Sequence, residues 1–76
     1  MSNSKTDTKI QMKLHLTPRQ RQCLHLTARG LTAKATALHL GISERMVRMH
    51  LEGARLRLTA GSTAQAIYLA TKMGII

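Results

Sequence analysis

Aromatic side chains are almost absent from this sequence: Tyr68 is the only one, with no Phe and no Trp. That argues against the single-strand binders that stack successive bases on aromatic platforms. A single cysteine, Cys23, excludes an intramolecular disulfide. His15, His25, His39 and His50 are too dispersed to read as a metal cluster, so neither a metal nor another cofactor is expected. No apolar run approaches the length of a membrane span. No hydrophobic stretch follows Lys5, so the start does not read as a secretory signal. Acidic residues are scarce too, 3 against 12 lysines and arginines, for a net charge of +9. No nucleophile, base and oxyanion donor form a set, so the chain does not read as an enzyme. The expected setting is cytoplasmic and nucleoid-associated. The expected partner is an anion, with nucleic acid the commonest. Seventy-six residues make room for one small domain, which buries only about 60% of its unfolded surface.

Residues 1–13 are dominated by Ser, Asn, Thr and Lys and carry no stable period, which predicts a disordered arm. Residues 14–76 contain four helix signatures and no strand signature, so the expected class is all-α. The first helix begins with Thr17 at the N-cap, Pro18 at N1 and Gln20 at N3, the pattern of a capping box. Gly30 suits the left-handed residue that closes it. Cys23 falls on its buried face as a small core residue. Thr32 can cap a short second helix with Ala37, Leu38 and Leu40 as apolar candidates, ended by Gly41. Ser43 caps a third helix running to about Leu58. Ser62 to Gln65 read as a second capping box, opening a fourth helix that runs to about Met73.

The third helix has two faces. Val47, Leu51, Ala54 and Leu58 form an inner stripe at helical spacing. Arg45, Met49, Glu52 and Leu56 form the opposite stripe, with Arg48 on its flank. A short helix, the tight turn Gly41-Ile42-Ser43 and a second helix with a basic outward face together form a helix-turn-helix. The cap also leaves helix N–H groups where phosphate can meet them. Glu52 can accept from cytosine N4 or pair with Arg48 or Arg55, the ion pair being favoured. Met49 can touch a thymine methyl or merely cover apolar surface. His50 packs beside the inner stripe.

Several separated motifs in one register resemble a known family. Leu16 to Gln20, Ala28 to Leu31, Leu40 to Arg45, Val47-Arg48 and His50-Leu51 look like the LuxR/FixJ/GerE-type helix-turn-helix DNA-binding domain, in an ungapped match from about Leu14 to Ile76. The resemblance implies a four-helix domain whose third helix enters the major groove and whose fourth pairs two subunits, here in a stand-alone member. It implies that Arg48 reaches bases or phosphate and that Met49 and Glu52 read bases. Lys34 becomes a phosphate contact, and Thr32 and Arg45 lie near the DNA backbone. The sequence departs from the family pattern at Gln20 (usually Glu), Thr36 (usually Ile), Met46 (usually Thr), Gly53 and Ala54 (usually Asn and Ile) and Thr59 (usually Gly). Arg55 and Leu56 stand in exchanged order. Thr36 is expected to loosen the core, and Gly53 inside a helix costs roughly 1 kcal/mol against Ala.

The leading expectation is a small transcriptional regulator that binds double-stranded DNA as a homodimer. On the fourth helix, Ala66, Ile67 and Ala70 face the core, which leaves Leu69 and Met73 exposed for dimerisation. The alternative is an interaction antagonist that forms inactive complexes with a related LuxR-type regulator. RNA polymerase is a further partner compatible with a regulator. A membrane-active cationic peptide is disfavoured, because caps and glycines punctuate the helices.

Overall fold

Among the described residues, hydroxyl side chains start every helix. In the computed structural model, which describes residues 15–76, four helices follow one another: α1 (Pro18–Ala28), α2 (Ala33–Leu40), α3 (Glu44–Arg57) and α4 (Thr63–Lys72). The arm expected over residues 1–13 lies outside the described residues. Among the described residues there is no strand, as the all-α reading requires.

Thr17, Thr32, Ser43 and Ser62 are the four N-caps, each accepting from the backbone N–H three residues on. Each bond satisfies one of the donors that a helix start leaves without a partner. At α1 the box is complete: Gln20 N–H donates to Thr17 Oγ1 and Thr17 N–H donates to Gln20 Oε1. At α4 the expected box forms by half. Ser62 caps Gln65 N–H, but the Gln65 side chain accepts from Gly61 N–H, one residue before the cap.

Three helices close in one way. After α1, Leu31 N–H donates to Leu26 O and Gly30 N–H to Thr27 O. After α3, Ala60 N–H donates to Arg55 O and Thr59 N–H to Leu56 O. After α4, Ile75 N–H donates to Ala70 O and Gly74 N–H to Thr71 O. This paired closure needs a residue of positive φ at the turn. Gly30 and Gly74 supply it without strain, but at α3 the residue is Thr59, at φ 53°. A β-branched side chain is strained there.

α3 packs against each of the other helices. Leu51 is the hinge of the interior, packed against two groups of buried side chains. One group is Leu16, Leu24, Ala54, Leu58, Ala60, Ala66 and Ala70, with Ile75 and Ile76 against it. The other is Cys23, Ala37 and Val47, with Leu40 and Ile42 against it. The inner stripe of α3 is therefore as expected, as is the burial of Cys23, whose thiol is pushed up from its ordinary value by that burial, Arg19 opposing.

Two expectations on apolar faces change. Leu38 does not join the core: it is 77% exposed, and Thr36 is buried in its stead. One helical position is 100° of rotation, so Ala37 inside turns Leu38 toward solvent. The buried Thr36 Oγ1 has no partner among the described residues, a deficit of about 1–3 kcal/mol. That gives the expected loosening a specific cause. Leu69, expected to be exposed, is half-buried against the core. Tyr68 (61% exposed) and Met73 (45%) carry the open apolar surface of α4.

Gly53 has an explanation that its intrinsic helix cost hides. A Cβ there would come 2.5 Å from Gln20 Nε2. Gln20 is held by its own capping box, so the missing side chain on α3 leaves room for the start of α1.

Candidate nucleic-acid interface

The turn between α2 and α3 aims the third helix. Gly41 adopts the left-handed conformation, φ 69° and ψ 34°, which a side chain would strain. Ile42 N–H then donates to Ala37 O (3.0 Å) and its side chain packs on the second core group. Ser43 follows as the α3 cap, its Oγ accepting from Met46 N–H (3.1 Å). With Val47 and Ala54 locked inside, the opposite side of α3 must face out.

On that side Arg45, Arg48, Met49, Glu52, Gly53 and Leu56 line one shallow open groove. Four of the six residues named from sequence as DNA-facing are thereby brought together: Arg45, Arg48, Met49 and Glu52. Thr32 and Lys34 are exposed but lie on the start of α2, outside the groove lining. Thr32 Oγ1 is occupied as an acceptor from Ala35 N–H (3.0 Å); its hydroxyl hydrogen is not used by the cap. Leu56, on the outward stripe, is a groove residue beyond the six that the sequence points to. The signal was its position four residues after Glu52 and seven after Met49. Gly53 carried no such signal, because its role depends on Gln20 of another helix.

The two acids of α3 divide its arginines. Arg48 Nη2 donates to Glu44 Oε2 (3.1 Å) across one helical turn, with the Arg48 side chain 65% exposed. Such a solvated pair is weak and easily exchanged for another anion. Glu52 instead holds Arg55 with both oxygens: Nε to Oε1 at 3.0 Å and Nη2 to Oε2 at 2.6 Å. Arg55 Nη1 also donates to Ala60 O (2.8 Å). The hydrogen bonds from Arg55 hold the Glu52 carboxyl below its ordinary value, and Glu52 in turn raises Arg55. Of the alternatives open for Glu52, this is the ion pair, and its partner is Arg55. Arg57, exposed, donates through Nε to His15 O (3.1 Å). Among the described residues no group of His, Cys, Asp and Glu could hold a metal ion, and no helix is long and apolar enough to cross a membrane.

A helix-turn-helix whose second helix turns an open basic face outward defines a DNA-binding regulatory domain. Comparison with known proteins gives the family: residues 14–70 match "Bacterial regulatory proteins, luxR family", and the chain belongs to it. The transcriptional activator protein RaiR of Rhizobium etli is 40% identical over 52 residues, 68% of this chain and 22% of that protein. The transcriptional regulatory protein YdfI of Bacillus subtilis is 35% identical over 68 residues, 90% of this chain and 32% of that protein. The spore germination protein GerE of Bacillus subtilis is 34% identical over 68 residues, 90% of this chain and 92% of that protein. The chain thus spans about a third or less of RaiR and YdfI, but nearly the whole of GerE.

Proposed function

We propose that this chain regulates transcription by binding duplex DNA as a dimer, with α3 in the major groove and no chemistry beyond equilibrium binding. The observation that carries the reading is the outward face of α3, where Arg45 and Arg48 stand exposed beside Met49 while the opposite face is locked in the core. Charge supplies the affinity: cationic side chains neutralise phosphates and release counterions. Arg48 leaves its weak, solvated pair with Glu44 for a guanine edge or a phosphate. Thr32 and Lys34, on α2, are the backbone contacts. RNA polymerase or a related regulator is a partner such a protein meets on the nucleoid.

Dimerisation runs through α4, with Met73 as its main contact. Leu69 contributes from a half-buried position, so Met73→Glu is the cleaner variant. It should abolish cooperative occupancy of two half-sites about 10 bp apart and leave the helical circular-dichroism signal intact. Undiminished cooperativity would move the contact elsewhere.

Selection of bound duplexes from a random pool tests the whole reading, with a two-fold repeated sequence as the expected product. Binding should weaken steeply with salt, and Lys34→Ala should flatten the logarithmic slope by about one per half-site. Enrichment of no sequence would overturn the proposal in favour of an antagonist that acts only on a related regulator.

A further inference from the structure

The groove on α3 changes character along its length. Arg45 and Arg48 stand at its start, whereas Met49, Gly53 and Leu56 give it an apolar strip. Met49 is 57% and Leu56 61% exposed, so each keeps most of its surface in water. Glu52 lies between them in sequence, but its two oxygens are engaged by Arg55. The pair with Arg55 offsets the Glu52 charge beside the strip, which offers apolar contact through Met49 and Leu56. Flanking arginines favour a polyanion over an apolar protein helix as its occupant. The apolar feature that duplex DNA offers in its major groove is the thymine methyl group.

We infer that Met49 and Leu56 are specificity-determining residues that read thymine methyl groups, so that each half-site carries two thymines. Residues seven apart lie about 10 Å apart along a helix axis. Bases on one strand follow each other at about 3.4 Å. With α3 running along the groove, the two thymines stand about three base steps apart. Guanine or phosphate on the Arg45 and Arg48 side completes the half-site. This inference rests on the proposed DNA reading and gives it a base preference.

The test uses the full chain and the duplexes it selects from a random pool, with affinity read by fluorescence anisotropy at fixed salt. Replacing either thymine by deoxyuridine deletes one methyl group and keeps every hydrogen-bonding edge. Each replacement should weaken binding about fourfold, the worth of one buried methyl-sized group. Met49→Ala should erase sensitivity to one replacement and Leu56→Ala to the other, both side chains being exposed enough to truncate without unfolding. Arg48→Ala should weaken thymine and deoxyuridine duplexes by the same factor. Selected half-sites without the two thymines overturn the inference and leave the DNA reading standing. So does specific binding that ignores deoxyuridine, or an undiminished deoxyuridine effect in both alanine variants. Enrichment of no sequence overturns both.

Discussion

The two halves of α3 carry the same residue type in opposite employment. In the first half, Arg45 and Arg48 are exposed, and among the described residues the only tie on Arg48 is a solvated pair with Glu44 one turn back. In the second half, Arg55 is gripped by Glu52 and by the Ala60 carbonyl, and Arg57 donates to the His15 carbonyl. The first pair can meet a ligand; the second fastens the helix end to the loop and to the backbone just before α1. A formal charge of +9 therefore overstates what is free to act. The second half needs fastening because Thr59 closes α3 in a strained left-handed conformation that glycine supplies after α1 and α4. Strain of this kind persists where surrounding bonds over-determine it, and the Arg55–Ala60 bond is one of them.

The sharpest way to break the comparison is Arg48→Ala. It should cost about 1–3 kcal/mol of specific binding, the range for a bidentate guanine contact, and leave thermal stability nearly unchanged, since an exposed i,i+4 pair contributes only about 0.3–0.5 kcal/mol. Anisotropy and a thermal melt of one sample decide it. A large fall in melting temperature with intact affinity would reverse the roles assigned to the two halves. Next in size is Thr59→Gly. Removing a left-handed β-branched residue gains about 1–2 kcal/mol, partly offset by the chain entropy of glycine, about 0.5–1 kcal/mol. The net expectation is a stabilisation of about 0.5–1 kcal/mol, measured by urea titration. Unchanged or reduced stability would mean that the turn is not strained.

The smallest expected effect concerns acid. The folded Glu52 carboxyl titrates below its ordinary value of 4.5 because Arg55 bonds to its ionised form. Its contribution to stability is thus fully present above the unfolded value and is lost as pH falls through the lower folded one. Glu52→Gln should flatten the acid limb of the stability curve below about pH 4.5 without altering the curve near neutrality in shape. An acid limb identical to that of the parent would show that the pair is not formed in solution.

Local signals made most of the scaffold legible from sequence. Thr17, Thr32, Ser43 and Ser62 announce helix starts because a cap is a bond between near neighbours, and Gly30, Gly41 and Gly74 announce ends because positive φ favours glycine. The 3.6-residue period of α3 separates Val47 and Ala54 from Arg45 and Met49, so four of the six DNA-facing candidates fall in one groove. Thr36 and Leu38 were harder. Their helix is short, Thr is ambiguous in polarity, and only the neighbouring helices decide which side is inside. Leu69 failed for a similar reason, since the residues that half-cover it lie outside its own helix.

What the sequence determined by itself was the order of helices, their caps, the basic outward face of α3 and the family to which the chain belongs. All of these rest on residue type and on spacing within a few turns. Tertiary structure alone decided that Arg57 is tied to the His15 carbonyl, 42 residues away. It also decided that Gly53 makes room for Gln20 across the α1–α3 contact. Capping and periodicity are short-range and leave a mark in the chain. Pairing and close approach depend on where distant segments come to rest, which packing of the core fixes.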